Sequence, residues 1–305
     1  MKFPLATRAS RLALWQAETT QSLLRAKFDD LDVELHPVES SGDQRLDVEL
    51  AKFGRIGIFT VEVDRVLLRG EACASVHSLK DMITDLEPGI VLAGTLERGP
   101  TSDVLISRDG VRLEDLPAGA RVATGSRRRS AMLLALRPDL EVVGIRGNVE
   151  TRLRKLDEGE ADALIMAEAG IRRLGLGERI TQVLDNASFL PAVGQGIVGI
   201  VCRAEDTASQ ERIRAITSEA SWYAALAERS LLSALRGGCN VPVGGHAELD
   251  GDTLTLKARV LSLDGKTRVD GARTGPREEA VAIGAELAGE LIEQGAAELI
   301  EAARE

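Results

Sequence analysis

Hydrophobic and polar positions along the chain alternate between two periods. "FPLATR" (residues 3–8) has the short beat of a strand, and Ser10 stands where a helix cap would, opening a helix to about Lys27 with Leu12, Trp15 and Leu23 on one face. "LDVELHPVE" reads as a strand, "KFGRIGIFT" as a glycine-punctuated loop, "VEVDRVLLRG" as a helix, and "ACASVH" as a strand that stops at "SLKD". Strand alternating with helix predicts a mostly parallel α/β sheet. The pattern restarts near residue 102: "DVLIS" and "ARVAT" are strands, "GSRRRSAMLLALRPDL" is a helix ended by Pro138, and "EVVGI" is a strand. Asn148 opens another helix, and "ADALIMA" is again a strand. In "LPAVGQGIVGIVCR" a loop gives way to an apolar strand that could return to the first sheet, which would make the first half discontinuous. From about Glu219 the character changes to one long helix, the segment "LRGGCNVPVGG", an antiparallel meander with hairpins at "DGD" and "LDGK", and a last helix over about Arg277–Ala303.

The 305 residues are too many for one ordinary core, so two or three domains are expected. A 44% hydrophobic and 28% charged composition describes a soluble globular chain. Aromatics at 3% argue against stacking platforms for single-stranded nucleic acid, and a net charge of −10 opposes non-specific binding to any nucleic acid. No run approaches ~18 apolar residues and the N-terminus lacks a signal-peptide core, so neither a membrane span nor secretion is expected. The three cysteines, Cys73, Cys202 and Cys239, are far apart and odd in number, and with three histidines they make no metal-ligand spacing. These features predict a reduced cytoplasmic protein without a metal.

The chemistry-bearing residues gather where strands give way to helices. "ATRAS" offers Arg8 and Ser10, "VHSLKD" offers Ser78, Lys80 and Asp81, "ATGSRRR" offers Thr124, Ser126, Arg128 and Arg129, and "IRGNVETR" offers Arg146 and Arg152. Ligands of open α/β sheets bind beyond the carboxyl ends of the strands, where helix N-termini present unpaired N–H groups. Arginine at such positions makes anion sites, because the guanidinium fork bonds a carboxylate bidentately. Four such junctions predict a ligand with several carboxylates or phosphates; any one alone reads equally well as a helix cap. No Walker loop, no GxGxxG after the first strand and no hydrolytic triad is present, and His77 and Ser78, adjacent on an extended segment, point apart. Asp81 has two readings: an ion pair or helix-start cap, or a carboxylate that steadies a developing cation. Cys239 also has two: a small buried hydrophobe, or a nucleophile given room by Gly237 and Gly238.

Taken together, "ATRASRLALWQA", "VHSLKD", "RGNVETRLRKLD", "AGIRRLGL", "LPAVGQGIVGIVCR" and "GGCNVP", in this order, resemble the porphobilinogen deaminase (hydroxymethylbilane synthase) family over essentially the whole chain. The resemblance implies an α/β fold of two type II periplasmic-binding-protein-like domains, 1–97 plus 197–216 and 98–196, and a C-terminal α+β domain over 217–305 with a three-stranded antiparallel sheet. It implies a monomeric transferase that condenses porphobilinogen head to tail, with loss of ammonia, on a dipyrromethane cofactor held by a thioether to Cys239. Asp81 would be the catalytic carboxylate, bonding pyrrole N–H groups and stabilising the cation left by deamination. Lys80, Asp81, Ser126, Arg128, Arg129, Arg146 and Gly147 would hold the cofactor, and Arg8, Ser10, Phe59, Ser78, Arg152, Arg173 and Gln195 the substrate. The chain departs from the family pattern at Ile56 and Val61, where basic residues are usual, and at Arg11, Arg127, "SSGD", "ERGPTSDV" and the end of "HSLKDMIT". A binding protein of the same architecture, holding a polycarboxylate without turnover, would need neither Cys239 nor Asp81.

Overall fold

Several helices begin where a side-chain oxygen takes up a backbone N–H that the helix itself leaves unpaired. Ser10 Oγ accepts from Ala13 N, Ser126 Oγ from Arg129 N, Asn148 Oδ1 from Thr151 N and Asp206 Oδ1 from Ser209 N. Each such cap is worth about 1 kcal/mol and fixes where the preceding loop must end. The computed structural model describes residues 1–38, 58–236 and 241–304, with the side chains of Ile58 and Phe59 left out. Cys239, its flanking Gly237 and Gly238, "SSGD", Ile56 and the side chain of Phe59 therefore lie outside the described residues.

In chain order the first elements are β1 (Lys2–Arg8), α1 (Arg11–Lys27), β2 (Asp32–Val38), α2 (Ile58–Leu68), β3 (Ala74–Ser78) and β4 (Ile90–Thr95). There follow β5 (Asp103–Ser107), β6 (Arg121–Ala123), α3 (Arg127–Leu136), β7 (Glu141–Val143), α4 (Val149–Asp157), β8 (Ala163–Ala167), α5 (Glu168–Arg173) and β9 (Gln182–Val183). The chain continues with β10 (Val198–Arg203), α6 (Thr207–Arg214), α7 (Glu219–Ala234), β11 (Val243–Asp250), β12 (Thr253–Leu261), β13 (Arg268–Pro276), α8 (Ala280–Glu293) and α9 (Ala296–Ala302).

The strands form two five-stranded sheets, ordered β2-β1-β3-β10-β4 and β7-β6-β8-β5-β9, and a three-stranded antiparallel meander, β11-β12-β13. In the first sheet β1 runs parallel to β2 and β3, and β10 lies antiparallel between β3 and β4. The second repeats the scheme, with β6 parallel to β7 and β8 and with β5 antiparallel between β8 and β9. This twofold order, closed in the first sheet by a strand from much later in the chain, is the type II periplasmic-binding-protein arrangement. Four strands of each sheet run the same way, as the mostly parallel reading expects, and only the crossing strands β5 and β10 run back against their neighbours.

Two compact units result, Met1–Arg98 with Ile197–Ala225, and Gly99–Gly196 with Leu226–Glu305. The first is built on Phe3, Leu5, Val33, Val76 and Ile200, all 0–1% exposed. In the second, Leu105, Val122, Leu133 and Phe189 pack one face of the sheet, and Ile106, Leu156 and Leu164 the other.

Three local expectations are corrected. The buried stripe of α1 is Gln16, Ala17, Thr20 and Leu24, while Leu23 is 41% exposed. Small and hydrogen-bonding residues set that face because Gln16 reaches Ser78 on β3. The last helix is two helices, broken at Gly295, whose φ of +98° ends the first. Finally, β4, α5 and β9 form where no element was expected.

Where α8 crosses α7, a Cβ on Gly284 would stand against Ala227 O and 2.8 Å from Leu231 N. Both obstacles are helix backbone, so Gly284→Ala is expected to cost about 1–3 kcal/mol, seen as a lower urea midpoint. An unchanged midpoint would show that the two helices can part without loss.

A candidate carboxylate-binding site at the strand ends

In the first unit, β1 and β3 are parallel neighbours, so Arg8 and Ser10 leave the sheet at the same edge as Ser78, Lys80 and Asp81. Leu79, 2% exposed, anchors a single 3-10 turn over Leu79–Asp81, with its N–H bonded to Ile197 O at 3.0 Å. That anchor leaves Lys80 half-buried and Asp81 exposed. Among the described residues the Asp81 carboxylate makes no hydrogen bond or ion pair, so the simple pairing with Lys80 is not what the turn provides. Strand alternation separates His77 from Ser78 as expected. Ser78 Oγ accepts from Gln16 Nε2 at 2.7 Å, whereas His77 turns inward with Nε2 2.8 Å from Asp64 Oδ1, which also accepts from Ser75 Oγ at 2.6 Å. This buried trio ties α2 to β3.

In the second unit Arg127 of α3 is exposed, but the next two arginines are inside the protein. Arg128 is 3% and Arg129 7% exposed, and both lean on Asp103, which opens β5 and is 0% exposed. Arg128 Nη2 donates to Asp103 Oδ2 at 2.7 Å, while Arg129 Nε and Nη2 lie 2.9 and 2.7 Å from Oδ1. The remaining ends are held by backbone: Arg128 Nη1 donates to Leu190 O at 2.8 Å and Arg129 Nη1 to Ile165 O at 3.3 Å. Burial pushes the Asp103 carboxyl up, but the two guanidiniums outweigh it and hold it at about 2, so it is an anion at neutral pH. Removing one member of such a buried cluster strands the others, typically at roughly 3–5 kcal/mol.

Of the other sequence-predicted residues, Ser126 and Gln195 touch this cluster. Ser126 caps α3, and its own N–H is taken by Thr124 Oγ1 at 3.2 Å. Arg146 is exposed, and among the described residues its guanidinium makes no hydrogen bond or ion pair. Arg152 Nε donates to Gly147 O at 2.8 Å, and Arg173 Nη2 to Gly196 O at 2.7 Å. Burial pulls Arg173 down to about 10, which leaves it cationic at neutral pH. Gln195 is 0% exposed and donates to Thr101 O at 2.7 Å and to Asp103 Oδ1 at 3.1 Å, so it braces Asp103 from inside.

Asp103 is the residue that sequence reasoning missed. Its signal was an acidic residue opening an otherwise apolar strand, "DVLIS", a place where a charge survives only with a buried partner.

The donor set suits a polycarboxylate: cations and hydroxyls at strand ends, Arg146 exposed, and a buried Arg128 Nε that finds no acceptor among the described residues. Of the described cysteines, Cys202 is 0% exposed with its thiol pushed up to about 12 by burial, and burial also raises Cys73. Neither has the microenvironment of a reactive thiolate. Among the described residues no group of acidic, histidine and cysteine side chains could hold a metal ion, and no helix is long and apolar enough to cross a membrane.

Comparison with known proteins agrees with this chemistry. Residues 3–211 match the model of the porphobilinogen deaminase dipyrromethane cofactor binding domain, and residues 222–293 that of the porphobilinogen deaminase C-terminal domain. Porphobilinogen deaminase of Desulforudis audaxviator is 47% identical over 296 residues, covering 97% of this chain and 96% of the relative. That of Chlorobium chlorochromatii is 44% identical over 296 residues, covering 96% and 95%. Among solved structures the chain is similar to the VFT2 domain of BvgS from Bordetella pertussis, at a TM-score of 0.44 and 19% identity over 75% of this chain and 91% of that one. With family models spanning nearly the whole chain and relatives this similar, the chain belongs to the porphobilinogen deaminase family.

Proposed function

We propose that the chain is a hydroxymethylbilane synthase, a monomeric cytoplasmic transferase that joins four porphobilinogen molecules head to tail. At each step the aminomethyl C–N bond breaks and ammonia leaves. A C–C bond then forms to the free α-carbon of the growing chain, which loses a proton. The three-domain division at 1–97 with 197–216, 98–196 and 217–305 belongs to the same reading.

The dipyrromethane, attached through a thioether to Cys239, supplies the nucleophilic pyrrole carbon that primes the chain. Every pyrrole carries an acetate and a propionate, so cofactor and product are polycarboxylates, which arginine forks bind well. Lys80, Ser126, Arg128, Arg129, Arg146 and the backbone at Gly147 hold cofactor carboxylates. Arg8, Ser10, Ser78, Arg152 and Arg173 receive those of the substrate, with Phe59 packing beside it. Gln195, wholly buried, serves the substrate indirectly through Asp103. Asp81 acts at the reacting ring, accepting pyrrole N–H bonds and stabilising positive charge as ammonia leaves.

The observation that carries this reading is an exposed carboxylate with no protein partner among the described residues, on the same strand-end turn as Lys80. Intact mass tests it: the purified chain is expected to exceed its sequence mass by one dipyrromethane. A bare mass that porphobilinogen fails to raise would leave a binding protein of the same fold.

A further inference from the structure

Each guanidinium of the α3 pair has more than one holder, and one residue is common to both. Asp103 takes one Arg128 contact on Oδ2 and the Arg129 contacts on Oδ1. Gln195 Nε2, itself fixed by Thr101 O, adds a donor to Oδ1 and stops the carboxylate from turning. Asp103 thereby sets the angle between two neighbouring guanidiniums, and it does so from a position 0% exposed.

The same cluster reaches the stem of the cysteine-bearing segment. Arg128 Nη1 is held by Leu190 O, and the next residue, Pro191, accepts from Gly245 N at 2.9 Å on β11. At Gly244 the packing is so close that a Cβ would stand 2.9 Å from Leu190 O. Strand β11 begins at Val243, four residues beyond Cys239. Asp103, Arg128, Leu190–Pro191 and the start of β11 thus form one continuous set of contacts inside the second unit.

We infer that Asp103 is a positioning residue for cofactor attachment: it presents Arg128 and Arg129 in the one orientation from which they guide dipyrromethane carboxylates during thioether formation at Cys239. The inference rests on the cofactor reading above. Asp103 does not touch the ligand; it acts through the arginines. The unpartnered, buried Nε of Arg128 fits a guanidinium whose direction is set by its neighbours before the ligand arrives.

A purely electrostatic view of the cluster gives the opposite sign. Two buried cations and one anion leave a net charge of +1, and Asp103→Asn would raise it to +2, which should attract a carboxylate ligand more strongly. Asp103→Glu would leave the net charge unchanged and so leave attachment unchanged. Positioning predicts that both variants attach more slowly, because a misplaced binding group of about 1 Å costs on the order of 100-fold.

The test uses the full chain made in cells unable to supply porphobilinogen, then given porphobilinogen and followed by intact mass, at a temperature where circular dichroism shows each variant folded. The expected result is mass gain slower than wild type by roughly 10- to 100-fold in Asp103→Asn and several-fold in Asp103→Glu. Attachment at the wild-type rate in folded variants, or faster attachment in Asp103→Asn, overturns the inference. If Asp103→Asn does not fold, Asp103→Glu decides alone, since it keeps the charge and moves the carboxylate. A wild-type chain that gains no mass overturns the cofactor attachment itself and this inference with it.

Discussion

Cys239→Ala is expected to abolish both the covalent dipyrromethane and the formation of hydroxymethylbilane, while the chain stays folded. The loss is complete because no other thiol can substitute. Cys202 sits in the core of the first sheet, 0% exposed with its thiol pushed up to about 12, and burial also raises Cys73. A thiol that stays protonated at neutral pH does not capture an electrophile. Cys73→Ala and Cys202→Ala are therefore expected to keep the adduct, though Cys202→Ala leaves a small cavity and lowers stability. The measurement is intact mass on the three variants side by side, with product formation on each. An adduct that survives in Cys239→Ala would move the attachment site elsewhere and sink the assignment.

What the sequence made legible was local. Ser10 and Asn148 marked helix starts because a cap acts within three residues of itself, and the structure begins helices at both. The glycine-marked hairpins at Gly251 and Gly265 were legible for the same reason, each turn with positive φ standing at its expected place. The strand-end arginines were visible as a class, since strand-to-helix junctions can be read from period alone. Their partners could not be. Asp103 lies 25 positions from Arg128 and 92 from Gln195, and only the order β8-β5-β9 brings these residues together.

Direction of side chains was the second blind spot. Arg128 and Arg129 read as anion ligands in sequence; that both also lean on a buried Asp103 could not be read there, because a residue on the first turn of a helix packed against a sheet can point inward as readily as out. The helix-face error at Leu23 has the same origin. Periodicity ranks residues by apolarity, whereas α1 docks through Gln16, Ala17 and Thr20, which are small or hydrogen-bonded. Asp64, Ser75 and His77 were individually ordinary, and their trio exists only once α2 lies on β3.

Asp81→Ala is expected to retain the dipyrromethane adduct and lose turnover by ~10²–10⁴-fold, the range for removing a group that acts on charge or protons in the transition state. Three features place the effect on turnover. The carboxylate is exposed, so its removal leaves no buried cation behind and stability should change by less than about 0.5 kcal/mol. The turn that presents it is anchored by Leu79 through its N–H to Ile197 O, which the substitution does not touch. And the arginine pair proposed to hold cofactor carboxylates is fixed by Asp103, in a different unit of the chain. Asp81→Asn separates two possible contributions: it keeps a hydrogen-bond acceptor for the pyrrole N–H but removes the charge. If stabilising the developing cation dominates, Asn is nearly as slow as Ala; if orientation of the ring dominates, Asn recovers most of the rate with a lowered KM relative to Ala. Steady-state kinetics on holoprotein of verified mass decides between them. Wild-type turnover in Asp81→Ala would remove Asp81 from the chemistry and return it to the surface of the turn.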